Sequence, residues 1–238
     1  MLRYIAGDAG DDMEKLRILC LHGYHGSAQI LRRQMAPLAD GLDRPPELIC
    51  IDAPSLAEGD FGWWHAASAQ NAAANAGVGP RAKRYEGWQR TVDAIDSAFA
   101  QQGPFDGVFG FSQGAALAAL LVGLRSGDNP ARQASAGNAL GHSIAFDFAV
   151  MVGGFVSADP DLVTLYGERL NYALPSVHVI GRSDTIVPPA ASIELASRFS
   201  NPLILEHDGG HIIPTAPKIR QRLGIFLEDM RQRKLSAL

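Results

Sequence analysis

The chain has 238 residues, 47% of them apolar and 19% charged, with 21 basic side chains against 25 acidic ones and a formal charge of −4. This composition excludes a disordered chain, and a mildly acidic protein without long basic runs is not built for a nucleic-acid partner. The longest unbroken apolar run, Ala115–Leu124, falls well short of the roughly 20 residues of a membrane span. The first residues are charged and lack an apolar stretch of signal-peptide length, so a cytoplasmic protein is expected. Cys20 and Cys50 have no metal-ligand spacing, which predicts neither a disulfide framework nor a metal site.

Residues 1–15 read as a polar lead-in, and 16–238 as one α/β domain. Leu16–Leu21 is a short apolar run of the kind that forms a buried parallel strand. Ser27–Asp40 spaces Ile30, Leu31, Met35 and Leu38 as a helix, with Ser27 as its cap. Glu47–Asp52 is a second strand. The segment 53–86 carries Phe61, Trp63 and Trp64, then an Ala/Asn/Gly-rich stretch. A connection this long predicts a lid or substrate segment. Tyr85–Gln101 returns to helical spacing through Trp88, Val92, Ile95 and Phe99. Phe105–Phe111 is a strand and Gln113–Leu124 a helix, followed by a polar surface loop at 125–143. Strands follow at Phe146–Val152, Ser176–Ile180 and Leu203–His207. Helices follow at Pro189–Phe199 and Lys218–Arg231. Alternating strands and helices predict a mostly parallel central sheet with helices on both faces and no separate cap domain.

Gly110-Phe-Ser112-Gln-Gly114 lies between an apolar strand and a helix. This is the G-x-S-x-G nucleophile elbow in its structural context. A serine on so sharp a turn needs glycines on either side, because a Cβ would collide with neighbouring chain. The turn also sets Ser112 at a helix N-terminus, where free N–H groups favour developing negative charge.

A serine hydroxyl is a weak nucleophile and needs a base, which in turn needs an orienting acid. In this architecture the chain order is Ser, then acid, then His. Four histidines follow Ser112. His142 falls in a polar loop, His178 inside a strand and His207 at a strand end, whereas His211 lies on the loop beyond the last strand. Catalytic groups of open α/β sheets collect at that edge, and His211 is the preferred base. Asp184, on the loop after Ser176–Ile180, is the preferred acid over Asp159, Asp161, Glu206 and Asp208, although an N-cap role would also suit it. The oxyanion hole calls for two N–H donors: the backbone of Gln113, after the nucleophile, and that of Tyr24, in the loop His22–Gly26. His22 itself reads as a structural side chain bonded to backbone.

Six segments in order extend this reading: RILCLHGYHGSAQILRRQ, IDAPS, the Trp63-Trp64 pair, GPFDGVFGFSQGAALAALL, PSVHVIGRSDTIVP and LEHDGGHIIP. With them the chain resembles the FSH-type serine hydrolases, small eukaryotic α/β-hydrolases, over about residues 16–230. The resemblance implies an α/β-hydrolase fold with Ser112, Asp184 and His211 as triad. It also implies hydrolysis of small-molecule carboxylic esters or acyl thioesters, with no cofactor. Acyl-protein thioesterases and related carboxylesterases share the GFSQG element; the tryptophan pair and the DAP segment favour the FSH type. Residues 66–79 and 125–143 match no segment of that pattern. Phe61, Trp63 and Trp64 are the expected apolar walls of an acyl pocket. A ligand-binding protein on a retired hydrolase fold is the rival reading, and it sits poorly with a complete set of triad residue types.

Overall fold

The computed structural model describes residues 15–55, 62–66, 84–125, 144–166 and 172–237. Strands β1 (Arg17–Leu21) and β2 (Glu47–Ile51) pair in parallel, and the chain then leaves the sheet. It forms a small antiparallel ladder from β3 (His65–Ala66) and β4 (Tyr85–Glu86). It returns as β5 (Gly107–Phe111), β6 (Phe148–Val152), β7 (Ser176–Gly181) and β8 (Leu203–His207). The main sheet has the order β2-β1-β5-β6-β7-β8 and is parallel throughout. The helices are α1 (Ala28–Ala39), α2 (Trp88–Gln102), α3 (Gln113–Arg125), α4 (Pro160–Val163), α5 (Pro189–Ala196) and α6 (Pro217–Ser236).

Strands that are apolar on both faces need cover on both. Ile18, Cys20, Phe109, Phe148, Val150, Val177 and Val179 pack with α1 and α6. Their neighbours Leu19, Leu21, Val108, Ala149 and Met151 pack with α2, α3 and Leu195 of α5. Helix α3 is buried from Gln113 to Gly123. Its alanines and glycines let it lie close to the sheet, and an all-apolar helix is stable only when enclosed in this way.

The expected elements are present, with informative differences at their ends. Ser27 caps α1, its hydroxyl accepting from Ile30 N at 3.1 Å. Helix α2 begins at Trp88, not Tyr85, because Gly87 adopts φ 88 and turns the chain, while Tyr85 and Glu86 pair with β3. Residues 160–166 form α4 and a 3-10 turn that periodicity did not reveal. Four residues are too few to show a period. The signal was instead the Asp159-Pro160 start, where Asp159 caps by accepting from Asp161 N at 3.0 Å. Cys20 and Cys50 face each other in the β1–β2 register as buried free thiols. No described helix is long and apolar enough to cross a membrane. Most of the expected lid (56–61 and 67–83), Phe61 included, and nearly all of the 125–143 loop lie outside the described residues.

His178 is buried in β7, edge-on to Phe199 at 4.8 Å. Burial lowers its pKa to about 3. Its neutral form is therefore favoured in the folded state, and the unfolded chain takes up the proton first. Stability is complete above pH 6.5 and declines as pH falls towards 3, by up to about 1.4 kcal/mol per pH unit. His22, also lowered by burial, acts in the same direction. Denaturant midpoints measured between pH 7 and 4 should fall with acid, and His178→Gln should flatten that slope.

Candidate active site

The chain passes outward from β1 to β2, then crosses back to place β5 on the other side of β1. The crevice outside the strand ends at such a reversal is where open α/β sheets bind ligands. The loop after β1 (His22–Gly26) and the turn after β5 (Ser112) border this crevice together.

Ser112 has φ 55, in the left-handed region that non-glycine residues seldom adopt. Three glycines permit it. A Cβ on Gly110 would stand 2.5 Å from Ala115 N. One on Gly114 would stand 2.6 Å from His22 O and closer still to Leu21 O. One on Gly23 would press on Ser112 Cβ at 3.1 Å. The elbow and the loop after β1 are therefore in contact through backbone. The turn is held by Ser112 N donating to Val152 O at 2.8 Å and by Ser112 O accepting from Ala115 N and Ala116 N. Gln113 opens α3, so its amide has no carbonyl to bond within the helix. Tyr24 is 45% exposed, with its ring beside His25 and His65.

Asp184 and His211 come from the loops after β7 and β8. His211 Nδ1 donates to Asp184 Oδ2 at 2.6 Å. Asp184 Oδ1 accepts from Ile186 N and Val187 N, both at 2.9 Å, so the buried carboxylate is fixed on both oxygens. This bonding puts the His211 proton on Nδ1 and leaves Nε2 as the basic nitrogen. Nε2 is buried with no hydrogen-bond partner among the described residues.

The pair hangs over the end of β6. Gly153, at φ 59, lies beneath the imidazole, where a Cβ would stand 2.9 Å from His211 Cε1. Phe111, the residue before Ser112, meets the same ring at 4.9 Å between centroids. Ser112, Asp184 and His211 thus gather at one sheet edge, with His211 between Gly153 and Phe111. Gly153 did not figure among the site residues read from sequence, although a Gly-Gly doublet closing a buried strand signals a close approach.

The other candidates have different occupations. Asp159 accepts from Tyr85 N at 2.7 Å and caps α4. Glu206 and Asp208 pair with Arg182 at the surface. His22 is structural: its Nε2 accepts from Ala53 N at 3.0 Å, so Nδ1 carries the proton towards Gly23 O. His142 lies outside the described residues. Trp63 and Trp64, expected as pocket walls, sit in the core at 1% and 3% exposure. A cleft of about 740 Å³ between residues 41–44 and α6 includes none of these residues. Among the described residues no group of three or more His, Cys, Asp or Glu side chains is arranged to hold a metal.

The sequence pattern of the FSH1 serine hydrolases matches residues 12–223. The chain belongs to that family. Esterase OVCA2 of Xenopus tropicalis is 33% identical over 229 residues, covering 90% of this chain and 92% of the relative. Esterase CG5412 of Drosophila melanogaster is 30% identical, covering 93% of this chain and 77% of the relative. Among solved structures, acyl-protein thioesterase 2 of Zea mays superposes with a TM-score of 0.58 at 20% identity, over 91% of this chain and 94% of that one. The fold is that of the α/β-hydrolases, and membership of the FSH1 family together with esterase-named relatives supports an ester-hydrolysing enzyme.

In this family member the elbow glycine at 114 tolerates no side chain, since the obstacles are backbone carbonyls that cannot rotate away. Gly114→Ala should lower unfolding free energy by about 1–3 kcal/mol. Gly224, inside α6 with only Leu42 Cδ2 at 3.4 Å from a Cβ, provides the contrast. Gly224→Ala should stabilise by about 0.5–1 kcal/mol through helix propensity. Urea titrations of both variants test the pair.

Proposed function

We propose that this protein hydrolyses carboxylic esters or thioesters of acyl chains through a covalent acyl-serine on Ser112. The observation that carries the reading is the Asp184–His211 bond of 2.6 Å, suspended over Gly153 beside the strained Ser112 turn. Strain of this kind persists only where the surrounding structure over-determines it, and it clusters at functional sites.

In the proposed reaction Ser112 Oγ attacks the substrate carbonyl carbon while His211 Nε2 takes the hydroxyl proton. The carbonyl π electrons move onto oxygen, and the backbone N–H groups of Gln113 and Tyr24 receive that charge. The tetrahedral adduct collapses, the bond to the leaving oxygen or sulfur breaks, and His211 returns its proton to the departing alcohol or thiol. Water, deprotonated by His211, then adds to the acyl carbon; the bond to Ser112 Oγ breaks, His211 returns the proton to that oxygen, and a carboxylic acid departs. Asp184 keeps the imidazole in its Nδ1–H form and stabilises the imidazolium. No step calls for a cofactor.

A fluorophosphonate probe should label Ser112 of the wild-type protein and leave Ser112→Ala unlabelled. On p-nitrophenyl esters of graded chain length, run beside an acyl thioester, Ser112→Ala should lose about 10⁶ in kcat while keeping its unfolding midpoint. Wild-type turnover in that variant would refute the mechanism.

A further inference from the structure

Trp63 makes hydrogen bonds to three separate elements, which its apolar burial does not require. Its indole Nε1 donates to His22 O at 2.8 Å, in the loop that follows β1. Its backbone N donates to the side-chain Oε1 of Gln113 at 3.0 Å, on the first residue of α3. Its carbonyl accepts from the hydroxyl of Thr91 in α2. Gln113 completes the clasp by donating from Nε2 to Trp64 O at 2.9 Å. His22 is held from the other side, its Nε2 accepting from Ala53 N and its ring 5.0 Å from that of Trp63. Trp63, Gln113, His22 and Thr91 are all at least nine-tenths buried.

The two ends of this network carry the proposed oxyanion donors. Gln113 supplies one N–H itself, and Tyr24 stands two residues beyond the His22 carbonyl that the indole holds. We propose that Trp63 is a positioning residue that sets the spacing of these two N–H groups, with the Gln113 side chain as its partner in the clasp. The inference rests on the Ser112 reading above and adds the residues that pre-organise its oxyanion hole. The physical reason is that an oxyanion hole works without reorganisation only if its donors are already placed, and backbone amides at a loop and a helix start are as fixed as the contacts behind them. An apolar core residue of similar volume would keep the backbone bonds to Gln113 and Thr91 but leave the buried His22 O, at the start of the Tyr24 loop, without its donor and free to drift or to seek water.

Trp63→Phe removes the indole N–H while keeping an aromatic ring, and Gln113→Met removes both arms of the clasp. Outright loss of an oxyanion donor costs 10²–10³ in kcat, so a displaced one should cost about tenfold. With a short p-nitrophenyl ester, each folded variant should lose about tenfold in kcat with KM within twofold of wild type. A trifluoromethyl ketone, which adds to serine and forms the oxyanion, should lose affinity by the same factor. A purely structural role would lower the unfolding midpoint without weakening the ketone relative to substrate, and that result would overturn the proposal. So would wild-type kcat in both folded variants, or failure of both to fold, which would make the clasp a folding element. Absence of fluorophosphonate labelling at Ser112 in the wild-type protein would instead defeat the underlying mechanism, so the two failures are distinguishable.

Discussion

The site depends on the close approach of two backbone segments, the turn after β5 and the end of β1. Gly114 meets the carbonyls of Leu21 and His22 at a distance that excludes any Cβ, and Gly23 lies against Ser112 from the other side. This proximity lets a serine stand at φ 55 on a strand-to-helix turn. It also brings the loop carrying Tyr24 beside the first amides of α3. The sheet order supplies the occasion for the contact, because the crossover from β2 back to β5 makes β1 and β5 neighbours whose loops must share one crevice.

A second close approach brings the base to the same crevice. β7 and β8 lie two and three positions from β5 in the sheet, too far for short loops to meet the elbow directly at about 4.8 Å per strand. The loops after them bend back over β6, and Gly153 leaves the imidazole room to lie there. The bend is held by backbone bonds between the two loops, Arg182 N to His207 O at 2.8 Å and Ser183 N to Gly209 O at 3.2 Å. Asp184 then fixes the imidazole, and its own second oxygen is fixed by two amides. The Asp184 carboxylate is buried with partners on both oxygens that define its direction, the condition under which a buried polar group rigidifies a structure instead of weakening it.

Trp63 and Trp64 show how one residue type supports two readings. A tryptophan pair in a long connection suits a pocket wall as well as it suits a core. The choice depends on what the indole N–H can reach, and that is a property of the assembled fold. Here the His22 carbonyl lies 2.8 Å from Trp63 Nε1, and Tyr85 stacks on Trp64 at 4.7 Å. Both rings therefore pack as part of the hydrophobic core.

The sequence by itself determined the strand and helix types, the alternation that makes a parallel sheet, and the elbow. It also placed Asp184 and His211 on loops at the sheet edge that holds Ser112. These features are local: a run of apolar residues, a glycine two places from a serine, or a histidine just past a strand carries its meaning within a few residues. The β3–β4 ladder and the α4 turn were not legible because they are too short to show a period, and Gly87 moved the start of α2. Only the tertiary structure decided which acid meets His211, that Gly153 makes room for the pair, and that Gln113, Trp63 and His22 share one hydrogen-bond network. Those residues are 27 to 58 positions from their partners. Their contacts arise from strand order and packing, which periodicity along the chain does not encode.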